Sequence, residues 1–284
     1  MNSKKAQPDF WWQLVLHRVN QSVSEKLFKL GSTGLMEDYP NLTAYFPSAH
    51  FKNAHDAEHA IHAILGSSVR VSVAQIPAQD WGSEWKKYFK PTKVGERFVI
   101  RPSWEIYKRK KNELILIIDP KMSFGTGTHE STRLVLQMME KYVRPQAIVL
   151  DAGTGTGILA IAAIKLKAAK VYGFDIDEHS SENARENIRH NRCSDKISVV
   201  QSALETLPKK WPKKFNLILA NIQRSVITSM LDGLTAKLKR GGLLMVSGIL
   251  TSEIELMASV FQAGGLSVVD RRIDGEWVAF VLTK

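Results

Sequence analysis

Ile148–Ala163 reads IVLDAGTGTGILAIAA: an apolar strand-like run, a turn carrying Gly153, Gly155 and Gly157, then an apolar helical stretch with no spacer. Glycines allow a tight strand-to-helix bend and let backbone approach a ligand without a Cβ in the way. A glycine loop by itself is weak evidence, because dinucleotide enzymes use one too. Here the spacing is Gly-x-Gly-x-Gly, and Asp151 stands two positions before the first glycine, at the end of the strand. A carboxylate there suits a pyrophosphate poorly and suits a ligand with positive charge.

On the carboxyl side of this stretch, strand-like runs alternate with helix-period runs: VYGFD, SSENARENIRHN, ISVV, FNLILAN, VITSMLDGLTAKL, LLMVSGI, SEIELMASVFQAGG, LSVVD and VAFVLTK. That alternation predicts βαβ units and a mostly parallel sheet with helices on both faces. On the amino side, residues 1–76 read differently. Phe10–Val19 is apolar, Val23–Leu30 is helical and stopped by Gly31 and Gly34, apolar stretches follow near Leu35 and at Leu42–Phe46, Ala54–Leu65 is helical, and Val69, Val71 and Val73 alternate. The order β-α-β-β-α-β predicts a small ferredoxin-like α+β module. Residues 77–118, rich in Trp, Lys, Pro and Gly, read as a connecting arm, and residues 119–284 as the ligand-binding domain.

Composition excludes several classes. The chain has 284 residues, 44% apolar and 24% charged, enough to bury a core. One cysteine, Cys193, makes an internal disulfide impossible. The longest apolar run, Ile158–Ile164, is far short of the roughly 18 residues that span a bilayer. The first twenty residues lack the small-residue cleavage site of a signal peptide. Together these features point to the cytoplasm and to no membrane partner. The net charge is +11, and it is unevenly spread: residues 81–118 carry ten basic and four acidic side chains.

Two further positions complete a ligand site. Asp175 ends the second strand of the domain, 22 residues after Gly153, the placement from which a carboxylate reaches ribose hydroxyls. A nucleoside with a cationic, phosphate-free tail is S-adenosylmethionine. Asn221, at the end of FNLILAN, lies where open α/β sheets bind ligands; its amide is suited either to orient an incoming amine or to hold the methionine part of the cofactor. Upstream, DPKMSFGTGTHEST places Phe124 and Thr128 in a second glycine-containing loop that opens a helix capped by Thr128 or Ser131, a candidate lid that excludes water.

The runs QDWGSEWKKYFKPTKVGERFVIRPSW, DPKMSFGTGTHEST, VLDAGTGTGILAIAA, FDIDEHSSENARENIRHN, LANI and GEWVAFVL resemble, in this order, the ribosomal protein L11 methyltransferase (PrmA) family. The glycine loop is common to many methyltransferases, whereas the FGTGTH loop and the aromatic arm are specific. The resemblance implies a ferredoxin-like module that recognises a large-subunit ribosomal protein. It also implies a flexible arm and a seven-stranded, Rossmann-like class I methyltransferase domain acting on lysine side chains and the α-amino group. It assigns cofactor contacts to Thr132, Gly153, Asp175 and Asn221. Three departures stand out: Thr154 where the family usually has Cys, Gln223 and Arg224 where it has small apolar residues, and a basic rather than acidic chain.

Other candidates weigh less. His55, His59 and His62 share a helix face, but no carboxylate or cysteine completes a metal set, and no metal is expected. Cys193 reads as a passive loop thiol. Trp81, Trp85, Tyr88, Phe89 and Trp104, interleaved with lysines and arginines, have the composition of a single-strand nucleic-acid platform; packed aromatics with solvated lysines are the favoured reading. Lys108–Lys111 reads as a hairpin tip. No residue presents itself as a general base. The competing functions are an RNA or small-molecule methyltransferase and a non-catalytic ribosome-assembly binding protein.

Overall fold

Trp12, Leu14 and Leu16 alternate with more exposed neighbours along β1 (Phe10–His17), so one face of this strand is apolar and has to be covered. The cover comes from α1 (Ser24–Leu30) and α2 (Ala54–Leu65), which contribute Leu27, Ala57 and Ile61 to the same core. The Asn53 side chain caps α2 by accepting from the Asp56 amide at 2.9 Å. With β2 (Gly34–Asp38), β3 (Asn41–Pro47) and β4 (Arg70–Pro77), the sheet order is β2-β3-β1-β4 and every pair is antiparallel. This is the ferredoxin-like order that the residue pattern predicts.

The computed structural model describes residues 10–17, 23–38, 41–77, 89–119 and 123–284, and the chain divides into two compact units, 1–88 and 89–284. The second unit begins earlier than the sequence suggests. A three-stranded sheet of β5 (Thr92–Val94), β6 (Phe98–Arg101) and β7 (Leu114–Ile117) occupies most of what reads as a connecting arm. Its Val94, Phe98, Ile100 and Leu116 are buried in one core with α3 (Glu130–Tyr142). The Glu140 carboxylate accepts from the Glu96 and Arg97 amides at 2.9 and 2.7 Å. Residues 89–118 are therefore part of the second unit, not an arm. Trp81, Trp85 and Tyr88, with Lys86 and Lys87, lie outside the described residues. Lys108–Lys111 is not a hairpin tip, because β6 and β7 run parallel and their connection is a crossover.

The main sheet has seven strands: β8 (Ile148–Ala152), β9 (Lys170–Asp175), β10 (Ile197–Gln201), β11 (Phe215–Asn221), β12 (Leu238–Leu250), β13 (Ser267–Asp274) and β14 (Trp277–Thr283). Their order is β10-β9-β8-β11-β12-β14-β13, and only β14 runs against the rest. Both faces are covered. Val149, Leu217 and Val281 meet α3, α4 (Ile158–Lys165) and α5 (Glu178–His190), while Leu150, Ile218 and Phe280 meet α6 (Arg224–Lys237) and α7 (Ile254–Ala263). Burial on both sides is why these strands read as continuous apolar runs. Among the described residues no helix is long and apolar enough to cross a membrane.

Asp151 lies at the end of β8, 1% exposed, with the Thr154 hydroxyl donating to it at 2.7 Å. Burial pushes its pKa up to about 7 against the Thr154 hydrogen bond, with the Asp175 charge adding to the rise. The native chain thus holds a proton that the unfolded chain releases near an ordinary carboxylate pKa of about 3.9. Stability contributed at low pH is lost as pH rises from about 4 to about 7. Asp151→Asn removes this titration and keeps an acceptor for Thr154. Its melting temperature is expected to drop less than the parent's between about pH 5 and about pH 7.5 in a thermal unfolding series; a steeper drop in the variant contradicts the assignment.

Candidate active site

From β8 the chain winds outward through β9 and β10, and from β11 it winds the other way through β12. Between β8 and β11 the strand order reverses, so the loops leaving their carboxyl ends diverge and leave a crevice. A cavity of about 480 Å³ occupies that end of the sheet, within the usual size for a small-molecule site.

One wall of the cavity is the glycine loop, held by its own amides. Gly153 and Thr154 donate to the Phe174 carbonyl at 2.9 and 3.0 Å, and Gly155 donates to Asp175 Oδ2 at 2.9 Å. Gly153 and Gly155 have φ of 68° and 53°. A Cβ on Gly153 would run into the Ile222 side chain, and one on Gly155 into the Phe124 carbonyl. Glycine is thus required here by backbone shape and by packing between protein segments.

The second loop docks onto the first. The Phe124 carbonyl accepts from the Thr156 amide at 3.0 Å, and the Gly125 carbonyl accepts from the Thr156 hydroxyl at 2.5 Å. The Phe124 ring, 55% exposed, lines the cavity and meets His129 edge-on at 5.2 Å; His129 in turn meets Trp277 at 4.8 Å. His129, rather than Thr128 or Ser131, caps α3, its Nδ1 accepting from the Ser131 amide at 3.2 Å. Thr128 is not on the wall. Its carbonyl accepts from Arg133, which also pairs with Asp274 at 2.7 Å and so ties the loop to the end of β13.

Asp175 and Asn221 are on the wall with different degrees of freedom. The Asp175 carboxylate accepts one backbone N–H on each oxygen, from Gly155 at 2.9 Å and from Asp177 at 3.1 Å, and retains further lone pairs toward the cavity. Asp177 instead caps α5, accepting from the Ser180 amide at 2.8 Å. Asn221 is 8% exposed and donates from Nδ2 to Thr132 Oγ1 at 3.1 Å, whereas its buried Oδ1 has no hydrogen-bond partner among the described residues. A buried acceptor left open costs free energy unless something supplies a donor.

Of the residues singled out from sequence, Phe124, Gly153, Gly155, Asp175 and Asn221 converge on the cavity. Thr132 stands behind Asn221 and orients its amide. Asp151 lies beneath the loop rather than facing the cavity, and Gly157 serves as the turn into α4, its amide donating to the Thr154 carbonyl at 2.8 Å. His129 joins the wall from the loop read as a lid, and residues to which the sequence reading gave no site role line it too, among them Ile222, Val226, Met230, Gly248 and Trp277. Val226 and Met230 are one turn apart on α6, a spacing that could have flagged them. Gln223, noted only as a departure, is on the rim.

The lesser candidates are elsewhere. His55 and His59 are exposed on α2, and His62 Nε2 is engaged with the Val69 carbonyl at 3.0 Å. Cys193 is buried, its thiol donating to the Asn191 carbonyl at 3.3 Å, and burial raises its pKa, which suits an inert thiol. Among the described residues the one close His and carboxylate set is Asp119, Glu186 and His190. Asp119 is already engaged by the Ser103 amide and hydroxyl at 2.6 and 2.7 Å.

Comparison with known proteins agrees with this fold. The family described as ribosomal protein L11 methyltransferase (PrmA) matches residues 15–284. The ribosomal protein L11 methyltransferase of Caldicellulosiruptor bescii is 33% identical across 96% of this chain and 99% of its own length. That of Pelotomaculum thermopropionicum is 39% identical across 75% of this chain and 68% of its own length. Among solved structures, the ribosomal protein L11 methylase of Lactobacillus delbrueckii subsp. bulgaricus superposes with a TM-score of 0.64 at 29% identity, over 69% of this chain and 99% of that one. A family match from residue 15 to the last residue, on a seven-stranded sheet with its crevice at the strand reversal, makes the chain a member of the ribosomal protein L11 methyltransferase (PrmA) family.

Proposed function

We propose that this chain transfers methyl groups from S-adenosylmethionine to amino nitrogens of ribosomal protein L11, lysine side chains and the α-amine being the acceptors. In this reading residues 1–76 select the protein substrate, and the crevice of the second unit carries out the transfer. The observation that carries it is the pairing, in one cavity, of a carboxylate at the end of β9 with an open buried amide oxygen at the end of β11.

The residues present fit an adenosyl sulfonium. Asp175 keeps acceptor capacity for ribose hydroxyls, Phe174 and Ile176 offer apolar surface to a base, and among the described residues no lysine or arginine lines the cavity. When bound, the cofactor supplies an electrophilic methyl group on a positively charged sulfur. Thr132 supports the site from behind through Asn221, and Asp151 supports it from below through Thr154.

The acceptor amine has to be neutral to attack. A free lysine has a pKa of about 10.4, so roughly one molecule in a thousand is neutral near pH 7.4. Ile222, Val226, Met230 and Trp277 make one side of the cavity apolar, and such surroundings disfavour the ammonium form. Once the amine has lost its proton to solvent, Asn221 Oδ1 accepts an N–H from it and leaves the lone pair free to point at the methyl carbon. The Phe124–His129–Trp277 ring series covers the mouth and excludes water from the transfer step.

Two outcomes are expected. In titration calorimetry, Asp175→Ala weakens S-adenosylmethionine binding by about tenfold or more, the loss expected for charge-assisted hydrogen bonds worth about 1.5–3 kcal/mol; an unchanged Kd contradicts the role. In methylation assays, Asn221→Ala lowers kcat by about ten- to a hundredfold while the cofactor Kd stays within about threefold. A weakened Kd with kcat preserved instead assigns the residue to the cofactor.

A further inference from the structure

A second concentration of positive charge, besides that of residues 81–118, lies away from the crevice. The segment KKWPKK, residues 209–214, leads into β11, and Lys237, Lys239 and Arg240 surround the start of β12. Those two short stretches carry seven basic side chains and no acidic one, against a net charge of +11 for the whole chain. Phe215 pairs with Leu238 across the two strands, so both stretches meet at the amino-terminal end of the sheet. Lys209, Lys213 and Lys237 line a shared depression there with Pro208 and Pro212. Phe215 and Asn221 terminate the same seven-residue strand, which places this surface roughly 20 Å from the cavity.

The loop that presents these lysines is anchored by Trp211. Trp211, 7% exposed, is buried between the lysine pairs, packs against Tyr172 at a ring separation of 5.0 Å, and donates its amide to the Pro208 carbonyl at 2.9 Å. Lys214 and Lys239 have structural partners, the Ala236 carbonyl and Asn216 Oδ1 at 2.5 and 3.2 Å. Lys209, Lys210, Lys213 and Arg240 are exposed and make no ion pair with another described residue. Uncompensated like charges held this close repel one another, and a polyanion relieves that repulsion at small ordering cost because the loop is already fixed.

We propose that this surface binds the phosphodiester backbone of RNA, leaving the crevice at the other end of the sheet open to the protein substrate. A membrane surface fits less well. Interfacial sites combine basic residues with exposed apolar ones, and none of the large exposed apolar side chains falls within 207–216 or 236–242. The density of charge favours RNA over an acidic peptide, because each neutralised phosphate also releases condensed counterions.

The test is fluorescence anisotropy of a labelled RNA hairpin across a potassium chloride series, using the full chain without cofactor. Two triple variants with the same change in charge are compared: Lys209→Glu with Lys210→Glu and Lys213→Glu, and Lys108→Glu with Arg109→Glu and Lys111→Glu. Circular dichroism melts check that both remain folded. The first variant is expected to lose tenfold or more in affinity and to reduce the salt slope by about two to three, whereas the second stays within about threefold of the parent. No binding by the parent at low salt, equal weakening by both variants, or tighter binding to a polyglutamate peptide or phosphatidylserine vesicles than to RNA would overturn the proposal. Asp175→Ala should bind the hairpin like the parent, so this surface and the methyl-transfer reading fail separately.

Discussion

The Asp175 carboxylate accepting the Gly155 amide is the contact on which the crevice depends. It joins the turn after β8 to the end of β9 and fixes where the glycine loop stops, while the Phe174 carbonyl one residue earlier takes two more amides of that loop. With the loop in place, Thr156 presents an amide and a hydroxyl to Phe124 and Gly125, and the second loop settles onto the first. Three segments distant in sequence thereby become one wall without burying an unsatisfied amide among those just named. The same carboxylate keeps lone pairs for a ligand, so one side chain both shapes the cavity and faces into it.

Topology sets the remaining walls. Because β14 is antiparallel within an otherwise parallel sheet, its first residue lies at the end where its neighbours finish: Trp277 pairs with Leu250 of β12. Trp277 thus reaches the cavity at the carboxyl ends of β8, β9 and β11. The Arg133–Asp274 pair ties the second loop to the end of β13. A partly exposed ion pair of this kind contributes little to stability, and its value here is to register a loop against a sheet edge.

Much of this was legible from residues alone. Continuous apolar strands alternating with helical runs signalled a sheet covered on both faces, and Gly153, Asp175 and Asn221 signalled its ligand end because strand termini at a chain reversal are places where side chains converge. The limits were tertiary. The segment 89–118 read as an arm because its aromatics and lysines resemble a linker, whereas Phe98, Ile100 and Leu116 are drawn into the core beside α3. Asp151 looked like a ligand carboxylate, yet it lies beneath the loop, where burial favours its protonated form. Trp277 took its place through a contact with His129 that no local spacing encodes, and Thr132, which the family resemblance names, holds the Asn221 amide instead of lining the cavity.

If the crevice is the seat of methyl transfer, the turn at Gly153 should be indispensable, since its φ of 68° and the Ile222 side chain leave no room for a Cβ. The decisive measurement is the intact mass of purified ribosomal protein L11 after incubation with S-adenosylmethionine and either the parent chain or a folded Gly153→Val variant. The parent should raise the mass by whole methyl increments and the variant should leave it unchanged. An unchanged mass with the parent, or equal methylation by both, would contradict the account.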